Sequence, residues 1–213
     1  MVNILSQQQQ DILIGLLLGD GSLEYNGYIG TRLQIKQTAA KKEYVFWLYE
    51  QFSHLVKTPP QHRQDNNQWY FGTRYIEEFT TIKKLFYQGG RKIIPSTITK
   101  LFQSPLTLAI WYMDDGTLDF REKYHYSFSM STDAFSIKEV KTLQTVLWNT
   151  FSIESSIQSP SSRGKKYIKL YIGKRGRDQF LQTIQPYILS CFAYKLPLFK
   201  HLDPSETEPV RVR

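Results

Sequence analysis

The chain has 213 residues, 41% of them hydrophobic, which is enough to bury the core of one large domain or two small ones. The formal net charge is +8, and the single cysteine excludes a disulfide framework and a cysteine-based zinc site. No apolar run reaches the roughly 18 residues that a membrane helix needs, and no secretory signal is visible, so we expect an intracellular protein.

The positive charge is shared between two halves of the chain. Residues 1–100 contain 12 basic and 8 acidic side chains, and residues 101–213 contain 15 and 11. This even distribution predicts that both halves face a polyanion, with nucleic acid favoured over an anionic membrane surface. Charge alone fits a basic protein without such a partner equally well, but no basic amphipathic helix supports membrane binding.

Local signals in the first half predict alternating helices and strands. Ser6 and Gln9 form a capping box, which indicates a helix that runs to Gly19. Further along we predict, in chain order, a turn at residues 24–27, a strand around residues 32–36, a helix over residues 40–52, a strand over residues 68–71 and a helix over residues 75–87.

The second half has the same order of signals. Pro105 follows Ser104 at the first position of a predicted helix, and Ser136 with Glu139 forms a second capping box. We predict strands over residues 125–130 and 167–172 and helices over residues 136–151 and 177–189. Each half is therefore expected to contain helix, hairpin, helix, hairpin and helix.

The two halves also share short motifs in register. LIGLLLGDGSL at residues 13–23 aligns with LAIWYMDDGTL at residues 108–118, YFG at 70–72 with YIG at 171–173, and KIIP at 92–95 with KLP at 195–197. Matches in the same order indicate an internal duplication. We predict an α+β protein with a first lobe at residues 1–95, a linker at 96–104, a second lobe at 105–202 and a tail at 203–213.

Each repeat places an aspartate, Asp20 or Asp115, at the end of an apolar helix. A carboxylate there is unfavourable, because the helix C-terminus carries partial negative charge, and two packed helices would add mutual repulsion. A divalent cation between the carboxylates resolves both problems, and Mg²⁺ prefers such oxygen ligands. For one motif alone, a simple Asp-Gly turn explains the sequence better; two motifs in register favour a metal site.

One lysine follows each aspartate at a similar distance. Lys92 lies 72 residues after Asp20, and Lys195 lies 80 residues after Asp115. Such a lysine can stabilise negative charge on a phosphodiester transition state or orient the attacking water. A solvated surface lysine is the usual alternative, and only the repeat distinguishes these two from the other lysines.

The polar faces of the predicted strands are candidate DNA-binding surfaces. Arginine and glutamine can pair with base edges, and lysine and tyrosine can hold phosphates. The candidates are Arg32, Gln34, Lys36, Gln61, Arg63, Gln68 and Tyr70 in the first half, and Ser127, Ser129, Arg163, Lys165, Lys169 and Tyr171 in the second. A half-exposed sheet with an ordinary wet face remains the alternative for any single residue.

Together, residues 13–21 and 108–116 resemble the paired motifs of LAGLIDADG homing endonucleases, in the single-chain, two-motif branch. The resemblance extends over about residues 8–198. It implies two pseudo-symmetric αββαββα lobes, antiparallel saddle-shaped sheets that straddle DNA, and motif helices that form the lobe interface. It also implies a metal-dependent nuclease that makes a double-strand break in a long site.

The resemblance assigns roles to particular residues. It implies that Asp20 and Asp115 bind divalent metal, that the backbone carbonyls of Gly19 and Asp114 complete the metal shell, and that Lys92 and Lys195 lie in the peripheral catalytic shell. Gln37 falls where relatives place a water-ordering polar residue, and Ser131 is its counterpart. Since both halves are present, we expect a monomer and a non-palindromic site.

Relatives use small residues where the motif helices touch. The first helix offers Gly15 and Gly19, but Ile110 and Asp114 occupy the matching places in the second. From this difference we expect an interface that is shifted or more loosely packed than that of a symmetric dimer.

Two other functions are compatible with the same fold. An intron maturase would bind intron RNA, and a DNA-binding regulator would not cleave. The intact aspartate pair favours catalysis over both. The compartment is expected to be an organelle (mitochondrion or chloroplast) or a prokaryotic cytoplasm.

Overall fold

A computed structural model describes residues 4–28, 30–121, 125–162 and 164–197, without the side chains of Ser162 and Lys165. Two predicted features, Arg163 and the tail at residues 203–213, lie outside the described residues. None of the helices in the described ranges is long and apolar enough to cross a lipid bilayer.

The first lobe contains one four-stranded antiparallel sheet with the strand order β1-β2-β4-β3. Its elements are α1 (Gln7–Leu18), β1 (Ser22–Tyr25), β2 (Thr31–Thr38), α2 (Lys42–Phe52), β3 (Gln61–Arg63), β4 (Gln68–Gly72) and α3 (Glu77–Phe86). A two-stranded hairpin, β5 (Tyr87–Gln88) and β6 (Arg91–Lys92), follows, and α4 (Ile98–Leu101) lies between the lobes.

The second lobe repeats this architecture with the sheet order β7-β8-β12-β9. Its elements are α5 (Pro105–Asp115), β7 (Gly116–Arg121), β8 (His125–Ser131), α6 (Ile137–Phe151), β9 (Ser156–Gln158), the hairpin β10 (Ser161–Ser162) and β11 (Lys165–Lys166), β12 (Lys169–Ile172) and α7 (Arg177–Ile184). Apart from the β5–β6 and β10–β11 hairpins, both lobes follow the αββαββα order. The α+β class is therefore confirmed, whereas the exact lobe limits stay a prediction.

Local sequence signals explain several of the helix ends. Both capping boxes form, at Ser6 and at Ser136. Two predicted boundaries are wrong. Strand β1 extends to Tyr25, so the turn begins later than expected. Helix α7 ends at Ile184, because Pro186 cannot donate the next helical hydrogen bond and lies in a 3₁₀ turn.

The two motif helices pack against each other through glycines on α1 and larger residues on α5. A Cβ atom added to Gly15 would lie 2.7 Å from the Ile110 Cβ and 2.7 Å from the Thr107 carbonyl oxygen. One added to Gly19 would lie 2.5 Å from the Asp114 Cβ. The expectation of loose packing is therefore wrong, because each glycine accommodates the larger residue opposite it.

We expect Gly15→Val to lower the free energy of unfolding by about 1–3 kcal/mol, since the added side chain overpacks a rigid contact with backbone. Urea denaturation measures the change. The matched control is Gln8→Val on the exposed face of the same helix, which introduces valine away from the contact between the helices. Equal losses in the two variants would contradict the close contact between the helices.

Candidate active site

Asp20 and Asp115 lie at neighbouring ends of the two packed motif helices. Helix α5 ends on Asp115 and is capped by Gly116, whereas α1 ends at Leu18 and is capped by Gly19, so Asp20 lies just beyond the helix. Burial, and next the charge of Asp20, raise the pKa of the Asp115 carboxyl to about 6. The charge of Asp20 therefore acts on the Asp115 carboxyl, which indicates that the two side chains lie near each other.

The surroundings of the two carboxylates differ. The Gln37 side-chain amide donates a 2.9 Å hydrogen bond to Asp20 Oδ2, and the Lys41 ammonium lies 3.9 Å from the same oxygen. The Asp20 side chain is 44% exposed. No side chain or amide in the described ranges donates a hydrogen bond to the Asp115 carboxylate.

Asp114 is the third carboxylate at this point, and it is only 8% exposed. Its Oδ2 atom accepts a 3.0 Å hydrogen bond from the backbone amide of Asp20. Burial, and after it the charge of Asp20, raise the pKa of Asp114 to about 8. The side chain of Asp114 therefore contacts the backbone of the opposite lobe's motif.

Both predicted lysines contact the C-terminal carbonyls of the motif helices. Lys92 Nζ donates to the Gly19 carbonyl at 2.5 Å, and Lys195 Nζ donates to the Met113 carbonyl at 2.7 Å and the Tyr112 carbonyl at 3.2 Å. Each ammonium thus offsets the partial negative charge of a helix end. Burial lowers the pKa of both lysines, that of Lys195 to about 8, with Lys41 also contributing to the shift of Lys195.

The donor set fits a hydrated divalent cation better than an enclosed metal site. Asp20 and Asp115 supply carboxylate oxygens, and no group of three or more His, Cys, Asp or Glu side chains encloses a metal position in the described ranges. Mg²⁺ commonly binds through one or two carboxylates and keeps several waters. The Gly19 carbonyl, expected as a further ligand, already accepts from Lys92. Its metal role and that of the Asp114 carbonyl stay predictions.

The candidate DNA-binding residues of the first lobe share one face of its sheet. In the strand register, Lys36 lies opposite Tyr70, which in turn lies opposite Gln61, and Arg63 lies opposite Gln68. Directly opposed residues point to the same side of a sheet. Arg32 and Lys36 are paired with Glu24, at 3.0 and 3.5 Å.

Most of this face lines an open groove of about 740 Å³. The predicted residues that line it are Arg32, Gln34, Lys36, Gln61, Arg63 and Tyr70. Gln34 packs beside Gly72 and is only 6% exposed. Its side chain is therefore less accessible to DNA than expected. The groove also adds two basic side chains that the sequence did not single out, Lys57 and Arg74.

Among the described side chains of the second lobe, Lys169 is the one predicted DNA-binding residue with a positive charge. Tyr171 lies opposite Ser129, and its hydroxyl is 3.3 Å from His125 Nε2; Lys169 lies opposite Ser131. Ser127 is 1% exposed, so the expectation of an accessible side chain is wrong at that position. Lys165 is described only by its backbone in β11, and Arg163 lies outside the described residues.

Comparison with known proteins identifies the family. A sequence profile described as the LAGLIDADG DNA endonuclease family matches residues 10–180. The chain belongs to this LAGLIDADG family. It is 30% identical over 203 residues to the cytochrome b mRNA maturase bI2 of Debaryomyces hansenii, which covers 90% of this chain and 74% of that protein.

Two further similarities link the LAGLIDADG chain to endonucleases. It is 26% identical over 210 residues to the DNA endonuclease I-ChuI of Chlamydomonas applanata, which covers 90% of this chain and 95% of the relative. Its structure matches that of the homing endonuclease I-WcaI bound to its DNA recognition sequence, with a TM-score of 0.79, 26% identity and coverage of 92% and 88%. The predicted family and fold are confirmed.

Sequence reasoning missed Lys41 and the side-chain contact of Asp114. When the two repeats are aligned with Thr38 opposite Thr132, Lys41 aligns with Phe135, which is buried. At this aligned position, therefore, only the first LAGLIDADG lobe has an ammonium group. That alignment was visible in the sequence and would have marked the difference. Nothing in the sequence marked the contact of Asp114 with the backbone of Asp20, which depends on how the two helices cross.

Each lysine-bearing segment of the LAGLIDADG fold is attached to the opposite lobe. Beside Lys92, the Ile94 amide donates to Glu139 Oε1 at 2.9 Å, and Arg91 donates to the Ala134 carbonyl at 3.0 Å. Glu139 thus joins the first lobe's lysine segment to the start of α6 in the second lobe.

The segment that contains Lys195 has the reciprocal arrangement. The Ser190 hydroxyl donates to Glu43 Oε1 at 2.7 Å, and the Phe192 ring meets the Tyr44 ring edge-on at 5.0 Å. Glu43 and Tyr44 lie in the first turn of α2. Both lysine positions therefore depend on contacts between lobes.

We expect Glu139→Gln to lower the free energy of unfolding at pH 7 by about 1.5–3 kcal/mol, the range for hydrogen bonds to a charged group. Burial raises the pKa of Glu139, but the hydrogen bonds from Ser136 and Ile94 outweigh it and leave the pKa below its usual value. The carboxylate's stabilisation is therefore complete above the unfolded pKa of about 4.3 and is lost as pH falls through the folded pKa.

Urea denaturation of wild type and variant between neutral and acid pH measures this difference, which should shrink in acid. The control is Glu154→Gln, which alters an exposed ion pair with Arg175 and should change stability by no more than about 1 kcal/mol. A Glu139→Gln protein as stable as wild type at pH 7 would rule out the contact as a stabilising one.

Proposed function

We propose that the chain is a monomeric, Mg²⁺-dependent homing endonuclease that makes a double-strand break in a long, non-palindromic DNA site. The observation that supports this most is the meeting of Asp20 and Asp115 at the ends of two packed helices, with Lys92 and Lys195 on the carbonyls beside them. Similarity to I-ChuI and I-WcaI supports the same reaction.

In this proposal, Asp20 and Asp115 hold the cation, and Lys92 and Lys195 balance charge around the scissile phosphates. Bound Mg²⁺ would activate water and stabilise the leaving oxygen of a phosphodiester. Gln37, bonded to Asp20 Oδ2, is placed to orient a water on the first lobe's side. Lys41 adds positive charge on that side only.

The sheet faces would hold the DNA. Arg32, Lys36 and Arg63 present positive charge along the first lobe's groove, and Lys169 and Tyr171 lie on the second lobe's face. The two faces differ in charge and side-chain length, so each half of the site would be recognised differently. This difference supports a non-palindromic target and recognition by one chain.

A maturase that assists splicing of intron RNA is the second candidate, because the chain is 30% identical to the Debaryomyces maturase bI2. The intact pair of Asp20 and Asp115 favours cleavage but is compatible with both activities. For either function we propose an intracellular setting, in an organelle or a prokaryotic cytoplasm, where an intron-containing gene is present.

We expect Asp20→Asn and Asp115→Asn each to abolish double-strand cleavage while leaving DNA affinity within about threefold of wild type, because catalysis loses a metal oxygen and the sheet faces are unchanged. Cleavage of DNA carrying the intronless gene, with Mg²⁺ or with EDTA, measures activity; a gel-shift titration measures affinity. Glu50→Gln is the control, since that carboxylate is exposed on α2 and belongs neither to the motifs nor to the groove.

The same variants distinguish the two functions. A splicing factor should retain RNA binding and splicing assistance in Asp20→Asn, since neither needs the metal pair. Normal cleavage by either aspartate variant would show that the metal assignment is wrong. RNA-specific binding by a wild-type protein that cuts no DNA would favour the maturase.

We also expect DNA affinity to fall steeply with salt, and Arg63→Ala to reduce the slope of log K against log salt by about 1, because one phosphate contact and its released counterion are lost. Fluorescence anisotropy over a salt series measures the slope. Lys138→Ala, on the exposed start of α6, is the matched control and should leave the slope unchanged. A flat salt titration of the wild-type protein would contradict binding through the basic faces.

A further inference from the structure

The two motif helices end differently, although their sequences are repeated. Helix α5 includes Asp115, so the amide of that residue belongs to the helix. Helix α1 ends at Leu18, and Gly19 has φ −105° and ψ −133°, which is not helical. Asp20 therefore follows a break in the helix. Unlike the amide of Asp115, its amide is not part of a helix.

The neighbouring amides still bond back into α1, but the amide of Asp20 does not. The Gly19 amide donates to the Gly15 carbonyl at 3.1 Å, and the Gly21 amide donates to the Leu16 carbonyl at 2.9 Å. Between them, the Asp20 amide donates to Asp114 Oδ2 at 3.0 Å, across the lobe interface. A side chain of the second lobe thus replaces the missing helical acceptor.

The contact requires a glycine at position 19 and a side chain with an oxygen acceptor at position 114. A Cβ on Gly19 would lie 2.5 Å from the Asp114 Cβ and 2.6 Å from its Oδ2 atom, so any other residue would push the carboxyl away from the amide. No reverse contact is available, because Gly19 has no side chain to offer to α5. The arrangement holds only the first lobe's aspartate.

We propose that Asp114 is a positioning residue: its buried carboxyl oxygen fixes the backbone of Asp20 and so directs the Asp20 carboxylate toward the shared metal position. This inference rests on the proposed nuclease function. Asp114 acts through Asp20 and requires only an oxygen acceptor at Oδ2. Substitution of Asp114 should therefore slow cleavage of the DNA strand that depends on Asp20 more than cleavage of the other strand.

The first test measures the geometry without catalysis. In the metal-free protein, hydrogen exchange followed by NMR should show the Asp20 amide protected in wild type and in Asp114→Asn, which retains an oxygen acceptor. Protection should fall by roughly tenfold or more in Asp114→Ala, because the amide opens without a partner. Ile110→Ala is the matched control: it loosens the same helix pair against Gly15 but leaves the Asp20 contact in place.

The second test measures cleavage of each DNA strand in single turnover with Mg²⁺. Asp114→Asn should remain within about threefold of wild type, whereas Asp114→Ala should slow one strand roughly tenfold more than the other, since small misplacements of a catalytic group are costly. Nicked DNA should accumulate, and Ile110→Ala should slow neither strand selectively. DNA affinity should stay close to that of wild type, because the sheet faces are unchanged.

Several outcomes would overturn the inference. If Asp114→Asn is as slow as Asp114→Ala, the charge of Asp114 or direct ligation matters instead of positioning. If Asp114→Ala and Ile110→Ala slow both strands alike, packing alone explains the residue. If Asp114→Ala does not fold, the Asn variant decides: retained protection and rate support positioning, and their loss refutes it.

The exchange experiment also separates this inference from the proposed function. A wild-type protein that cuts no DNA but shows the predicted pattern of amide protection would refute the nuclease and, with it, a catalytic role for the contact. A wild-type protein that cuts both strands, with an Asp20 amide that exchanges freely, would refute only the positioning role.

Discussion

The close packing of α1 against α5 is the constraint on which the remainder of this structure depends. Gly15 and Gly19 let the helices approach until Ile110 and Asp114 fill the space that side chains would occupy. This approach brings carboxylates to two neighbouring helix ends, where the helix dipoles and mutual repulsion oppose them. Burial first, and then the charge of Asp20, raise the pKa of Asp115 as a consequence of this packing.

The lysines compensate for part of this cost without removing the carboxylates' capacity to bind a ligand. Lys92 and Lys195 donate to backbone carbonyls of the helix ends and form no direct ion pair with Asp115 among the described contacts. Direct ion pairs would neutralise the carboxylates and compete with a cation. Bonding to the carbonyls lowers the negative potential of the site and leaves the Asp115 oxygens free.

The sequence allowed prediction of the features that depend on local signals or repetition. The capping boxes at Ser6 and Ser136 set helix starts through contacts within four residues, and the paired motifs placed Asp20 and Asp115 together because duplicated helices pack alike. The burial of Ser127 and the contact of Asp114 with Asp20 were not predictable. Both depend on how separate elements meet in space, which neither periodicity nor spacing encodes.

The hydrogen bonds that join each lysine-bearing segment to the opposite lobe explain why the two lobes cannot be considered separately. Glu139 of the second lobe holds the backbone beside Lys92, while Glu43 of the first lobe holds Ser190 near Lys195. The bond from Asp20 to Asp114 adds a third link across the same interface. Each lobe therefore completes the surroundings of the other's lysine, and a single lobe would contain an aspartate and a lysine without the contacts that orient them. Duplication within one chain keeps these contacts together while the two halves diverge, as Lys41 and Phe135 already have.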